Sequence, residues 1–270
     1  MSGSDDPRQC PPRTDGMSRE RPWVEPGFFY AAGLFEERAA VYFVDERFGY
    51  GTLEDVSRPP ADRASVFRGE PYRRYIKRPL DTLASLLGII LLSPFLATIA
   101  ILVKLDSAGP VLFRQRRVGE NGEEFWFYKF RSMVEDAEQL KQKLMHLNEL
   151  EGPVFKICDD PRITRIGKFL RRTSLDELPQ LLNVLKGEMS LVGPRPPLPA
   201  EVEKFEAWQR QKLAAKPGIT CLWQISGRNH IGFTEWMRLD VEYIRKQSLG
   251  LDVKILARTL PAVFSRKGAY

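Results

Sequence analysis

The chain has 270 residues, 41 Lys and Arg against 35 Asp and Glu for a formal net charge of +6, 43% hydrophobic residues and three cysteines. That length supports one or two domains with a buried core, and the pI near 9.2 favours anionic partners without choosing among phosphates, nucleic acid and acidic lipid. Cys10, Cys158 and Cys221 are odd in number and far apart, and His146 and His230 stand away from any Cys pair, which argues against a disulfide scaffold and a zinc site and for a reducing compartment.

Residues 1–26 are rich in Pro, Gly, Ser and mixed charge, too polar to offset the entropy of ordering, and are expected to be a disordered tail. They contain no apolar core of a secretory signal, so a retained, cytosolic N-terminus is expected. Residues 27–70 read as a small accessory region with a strand at Val41–Val44, ending in Arg58-Pro59-Pro60.

Residues 71–110 change character. Thr82–Val103 runs without a charge, and as a helix it would extend about 33 Å, close to the hydrocarbon thickness of a bilayer. A soluble helix of that length normally keeps a charged face. Ser93-Pro94 stands mid-segment, where proline deletes a backbone donor and predicts a kink. Arg73, Arg74, Lys77 and Arg78 precede the segment and Lys104, Arg114, Arg116 and Arg117 follow it. Positive charge marks the cytoplasmic side, so both ends read as cytoplasmic and a re-entrant helix is favoured over a kinked spanning one. Lys77 and Arg78 suit contact with lipid phosphates, or a plain electrostatic anchor.

Residues 111–270 read as a folded domain, α/β in class and mostly helical with a β-hairpin. Val111–Val118 and Glu124–Phe130 flank Asn121-Gly122, a strong hairpin signal. Val134, Ala137, Leu140, Leu144 and Leu147 recur at helical spacing. Near the end, Phe233–Ile244 and Leu251–Phe264 predict two helices, either packed on the core or lying in a membrane interface.

The chemistry gathers between these elements. Arg162, Arg165, Lys168, Arg171 and Arg172 would form one cationic helix face, with Ile163, Ile166 and Leu170 on another. Ser174-Leu175-Asp176-Glu177-Leu178-Pro179-Gln180 then predicts the start of a new helix with two adjacent carboxylates. Ser174 and Glu177 match a capping box, while a carboxylate pair beside an arginine cluster equally suits attack on phosphorus assisted by a divalent cation. Sequence alone leaves cap and active site evenly balanced. In Gly193-Pro194-Arg195-Pro196-Pro197 the prolines would stiffen a loop that presents Arg195 to phosphate. Arg228 follows in Ser226-Gly227-Arg228-Asn229-His230, after Trp223-Gln224, where a nucleobase role competes with simple core packing.

From about Tyr75 to Tyr270 the chain resembles the bacterial sugar transferases, the monotopic polyprenyl-phosphate phosphoglycosyl transferases. The resemblance rests on Lys77-Arg78-Pro79, the Ser93-Pro94 break, Tyr128-Lys129-Phe130-Arg131-Ser132-Met133, Asp160-Pro161-Arg162-Ile163-Thr164, Ser174 to Gln180, Gly193-Pro194-Arg195-Pro196 and Lys216-Pro217-Gly218-Ile219-Thr220, in the family's order. It implies a re-entrant membrane helix, a catalytic domain on the cytosolic face of the bacterial inner membrane, Mg²⁺, and transfer of a sugar 1-phosphate from a UDP-sugar to undecaprenyl phosphate with release of UMP. By motif position Asp176 looks like the nucleophile and Glu177 its metal-associated neighbour. Arg131, Arg162, Arg172, Arg195 and Arg228 are expected to contact substrate or phosphate, and Lys77, Arg78, Ser93 and Pro94 to belong to the membrane element. Trp223-Gln224-Ile225-Ser226-Gly227-Arg228 and the ending Arg266-Lys267-Gly268-Ala269-Tyr270 resemble the exopolysaccharide branch that transfers hexose phosphates.

Three rivals remain at this stage. A membrane-anchored scaffold would use the carboxylates only as a cap, and a glycosyltransferase would release UDP. A nucleic-acid-binding protein is disfavoured, because the basic clusters flank an apolar segment and carry no stacking pattern. The sequence leaves monomer and homodimer both open.

Overall fold

The structure is a computed structural model that describes residues 71–148, 155, 157, 160–226 and 232–264. The tail, the accessory region with its strand at Val41–Val44, and Arg228 lie outside the described residues.

A turn of π-helix, Tyr72–Lys77, leads into α1, Arg78–Asp106. The helix is unbroken across Pro94. Proline has no N–H for the Ile90 carbonyl one turn back, and the Ser93 hydroxyl donates to that carbonyl instead at 2.8 Å. Asp81, Ser85, Ile99 and Val103 are buried along one side, whereas Leu83, Leu87, Ile90, Leu91, Ile101 and Leu105 are exposed. Within Tyr72–Asp106 an 18-residue stretch reaches a mean hydropathy of 2.7, and the helix is long and apolar enough to cross a membrane.

Both halves of α1 rest on the same folded body. In the first half, Asp81 Oδ1 accepts the Leu191 N–H at 3.2 Å and Gly88 lies against Leu181. In the second, Ile99 and Val103 pack with Phe130 and Leu170, and Asp106 Oδ2 accepts the Ile166 N–H at 3.0 Å, satisfying a donor in the first turn of the helix that begins at Arg165.

Strands β1, Leu112–Val118, and β2, Glu124–Phe130, form the expected antiparallel hairpin, with Arg114 opposite Tyr128 and Arg116 opposite Trp126. Its connection is longer than a two-residue turn. A 3₁₀ turn at Glu120–Gly122 carries the chain round, with Asn121 at φ 58° and Gly122 at φ 85°, the left-handed region these residue types tolerate best. Helix α2 is short, Ala137–Leu144, and buries no residue.

The cationic helix predicted from Arg162 to Arg172 begins three residues late. Only α3, Arg165–Arg172, is helical, started by Thr164, whose hydroxyl accepts the Gly167 N–H. Arg162 is in the turn before it, and Ile163 bridges Met133. A 3₁₀ helix, Leu175–Gln180, then runs into α4, Leu181–Lys186.

Beyond α4, β3 (Ser190–Val192) pairs in parallel with β4 (Gly218–Thr220). Between them come α5, Pro199–Val202, and a 3₁₀ helix, Gln209–Ala214. A Cβ on Gly218 would stand 2.0 Å from the Gly193 nitrogen, so this junction requires glycine. After α6, Leu222–Ile225, helix α7, Phe233–Lys246, places Leu239, Tyr243 and Ile244 in a core with Val192, Ala215, Leu222 and Ile255. The last helix, α8, Leu249–Phe264, contributes Ile255 to that core while Leu249, Val253 and Leu256 stay exposed. Thus α7 takes the core alternative for the terminal helices, and α8 only half of it.

Candidate active site

Asp176 is buried at 4% exposure on the 3₁₀ helix that follows α3. The capping-box reading fails here: Ser174 is left-handed, φ 54° and ψ 19°, and its side chain caps nothing. Instead its carbonyl accepts the Glu177 N–H at 3.3 Å. A left-handed serine costs on the order of 1 kcal/mol, and the bend it makes sets the two carboxylates against β2.

Facing them is Lys129, whose Nζ stands 3.9 Å from Asp176 Oδ2. Lys129 falls on the inner face of β2 with Phe125 and Phe127, which are buried, so an ammonium sits where the strand's alternation calls for an apolar side chain. Burial lowers its pKa, Asp176 and Glu177 oppose the shift, and Arg171 and Arg195 add to it. Two carboxylates and three cations therefore act on one another here.

Arg195 is half-buried, with its guanidinium carbon 5.8 Å from the centre of the Trp236 ring, within cation–π range. Its loop is fixed from both sides. Gly193 N–H donates to the Thr220 carbonyl at 3.0 Å and Gly218 N–H to the Pro194 carbonyl at 2.9 Å, while Val118 N–H reaches the Pro197 carbonyl at 2.9 Å. Arg117 Nη1 donates to the Pro196 carbonyl at 3.0 Å. Burial, together with the like charge of Arg195, pushes the Arg117 guanidinium down to about 10, still cationic at neutral pH. Beside Trp236 lies a buried ion pair, Lys212 Nζ to Asp240 Oδ2 at 2.8 Å, and Lys212 is 4.9 Å from the centre of the same ring.

The structure thus brings Asp176, Glu177 and Arg195 into one neighbourhood. Other expected residues are held elsewhere. Arg131 is buried and donates to the Ser107 carbonyl at 2.6 Å and its Oγ at 2.9 Å, fastening the end of α1 to the end of β2. Arg162 forms a two-pronged pair with Asp160, 2.8 and 2.6 Å, and donates to the Ala137 carbonyl at 3.1 Å. Arg172 is exposed at the end of α3. Lys77 is buried against Asp252, which also accepts from Tyr72 at 2.7 Å. Arg78 donates to the Val184 and Leu185 carbonyls at 2.6 and 3.0 Å, closing α4. The residues that sequence reasoning did not assign to the site are Lys129, Arg171 and Arg117. For Lys129 and Arg117 the available signal was a cation at an inward position of an amphipathic strand.

Among the described residues no three acidic, His or Cys side chains gather as a metal cage. The donor set beside Lys129 is one pair of adjacent carboxylates, which fits Mg²⁺, an ion that commonly takes one or two carboxylates and completes its shell with phosphate oxygens and water.

The model of a family described as bacterial sugar transferase matches residues 72–266. The chain belongs to this family. It is similar to the galactosyl transferase CpsE of Streptococcus agalactiae, 51% identical over 194 residues, covering 72% of this chain and 43% of that protein. It is also similar to the exopolysaccharide production protein ExoY of Sinorhizobium fredii, 41% identical over 198 residues, covering 72% of this chain and 88% of that protein. The undecaprenyl-phosphate galactose phosphotransferase of Salmonella typhimurium is 42% identical over 201 residues, covering 73% of this chain and 42% of that protein. The chain therefore spans less than half the length of the streptococcal and Salmonella relatives and most of ExoY. The matched region contains α1 and every site residue described above.

Proposed function

We propose that this bacterial sugar transferase moves a hexose 1-phosphate from a UDP-sugar to undecaprenyl phosphate, releasing UMP and initiating exopolysaccharide, capsule or O-antigen synthesis. The observation that carries the reading is the pairing of buried Asp176 with Lys129 at 3.9 Å, beside Glu177 and an Arg195 loop fixed by four hydrogen bonds. The name of the Salmonella relative supports the acceptor and the galactose phosphate.

In the first step an Asp176 carboxylate oxygen attacks the β-phosphorus of the donor. The bond from that phosphorus to the oxygen bridging to UMP breaks, and UMP leaves with the electron pair. In the second step a phosphate oxygen of the lipid attacks the same phosphorus, and the bond to Asp176 breaks, restoring the carboxylate and giving the lipid diphosphosugar. Lys129 and Arg195 stabilise charge on the equatorial oxygens in both steps, the term that dominates phosphoryl transfer. Asp176 and Glu177 would hold Mg²⁺, which offsets the negative charge of the diphosphate when bound.

The same reading puts α1 in the cytoplasmic leaflet of the inner membrane as a re-entrant, monotopic anchor. It is supported by the packing of both halves of α1 on one body, by the exposed leucine and isoleucine side chains between them, and by basic residues at both ends.

Purified Asp176→Asn protein, given UDP-hexose and undecaprenyl phosphate, is expected to lose UMP release by a factor of at least about 10³. Near wild-type release, or a phosphosugar adduct mapped by mass spectrometry to another residue, would remove Asp176 from the nucleophile's role. Release of UDP in place of UMP would make the protein a glycosyltransferase.

A further inference from the structure

The hairpin has two faces with different chemistry. The inner one carries Phe125, Phe127 and Lys129 toward the site. On the outer one the pairs are Leu112 with Phe130, Arg114 with Tyr128 and Arg116 with Trp126. The first pair is covered by α1, because Leu112 and Phe130 pack with Ile99 and Val103. The next two pairs run out from under the helix. Arg114 and Arg116 are exposed, and Trp126 keeps 45% of its surface, a large value for a tryptophan.

These side chains are organised. The Arg116 guanidinium carbon lies 4.5 Å from the Trp126 ring centre. Lys186, exposed at the end of α4, donates to Tyr128 Oη at 3.0 Å and stands 4.6 Å from its ring centre. One turn earlier on the same side of α4, Leu182 is also exposed. The patch thus borders the second half of α1 through Leu112 and Phe130. It borders the first half through α4, whose terminal carbonyls are closed by Arg78 at the foot of α1.

We infer that this outer face, Arg114, Arg116, Trp126, Tyr128 and Lys186, is a contact surface for the anionic phospholipid headgroups around α1. The inference rests on the membrane reading of α1 given above. Trp and Tyr prefer the headgroup level, with an apolar body toward the acyl chains and a polar edge in water. Lys and Arg are drawn to anionic lipid with about 1 kcal/mol each. An apolar helix bordered on its protein side by interleaved cations and aromatics has the chemistry of a membrane boundary. A water-facing sheet would need no exposed tryptophan, and a subunit interface would bury the cations away from their anions.

The test uses the full chain in nanodiscs of phosphatidylcholine and phosphatidylglycerol. Part of the lipid carries a nitroxide near the headgroup. The fluorescence difference between wild type and Trp126→Phe isolates Trp126. That difference is expected to be quenched by nitroxide lipid and protected from iodide. Turnover in these discs should exceed that in pure phosphatidylcholine, and Arg114→Glu with Arg116→Glu should remove the excess, by about fivefold per arginine. Iodide quenching without nitroxide quenching overturns the inference. So does protection from both quenchers together with a change of oligomeric state in the double variant, which would assign the face to a second copy. Failure of the chain to enter discs at all would sink the membrane reading itself, and the inference with it.

Discussion

At the scale of single residues, Lys129 carries a cost and a use that can be separated. Burial lowers its pKa, so between its folded pKa and the ordinary lysine value near 10.4 the unfolded chain binds more protons than the folded one. Stability attributable to this group therefore rises with pH across that window. In Lys129→Met, UMP release should fall by about 10² or more as a cation beside the reacting phosphate is lost. Activity that needs the ammonium form falls as pH rises through the lowered pKa, below the ordinary lysine range. Lys129→Arg should move that alkaline limb upward in kcat/KM profiles, and an unmoved limb would show that another group titrates there. Asp160 has the opposite sign. Its burial favours the neutral acid, but hydrogen bonds and charge from Arg162 outweigh burial and hold the carboxyl below its usual range. Its contribution is present above the unfolded pKa and is lost as pH falls through the folded one.

Among elements, the Arg195 loop is the clearest case of a site held from a distance. Arg195 lies within 5.8 Å of the Trp236 ring centre, and Lys212 of the Lys212–Asp240 pair lies 4.9 Å from the same centre. Both partners of that pair are nearly inaccessible, 2% and 1%, and burial pushes the Asp240 carboxyl up, with Lys212 opposing the shift. Removing one partner leaves a buried charge without its counter-ion, so Lys212→Met is expected to destabilise the protein by about 3–5 kcal/mol in denaturant titrations. Lys212→Met with Asp240→Leu should recover most of that loss. A double variant no more stable than the single one would refute the pairing as the source of the loss. The 3₁₀ helix at Leu175–Gln180 teaches the complementary point. Ser174, Asp176 and Glu177 satisfy a helix-cap pattern by spacing, yet the backbone at Ser174 takes the left-handed conformation and the cap is not made. A four-residue pattern reports what side chains can do, and the packing of the turn against β2 decides what they do.

For the whole molecule, the arrangement of α1 makes a topological prediction. Its two ends, near Tyr75 and Leu105, are exposed at 70% and 79% on a helix whose two halves touch one folded body. Cysteines introduced at Tyr75 and Leu105 in membrane vesicles of defined orientation should both react with an impermeant thiol reagent from the cytosolic side. Labelling from opposite sides would establish a spanning helix. Replacement of Leu91, 76% exposed, by Glu should release the protein from membranes in flotation assays without lowering its melting temperature in detergent, because that side chain has no core to leave.

The amino-acid sequence by itself determined the apolar segment, the hairpin, the carboxylate pair and the Arg195 loop. Each of these is local: it depends on periodicity, on turn residues, or on rigid prolines within a few positions. Tertiary structure alone decided the partners. Arg131, Arg162, Lys77 and Arg78 look alike in sequence to phosphate-binding cations, but their acceptors are carbonyls and carboxylates up to 175 residues away. Buried cations must be neutralised or hydrogen-bonded wherever the fold places them. Lys129 was hidden for the same reason, since its meaning comes from Asp176, which the chain reaches only after α2, α3 and a left-handed serine have turned it back onto the strand.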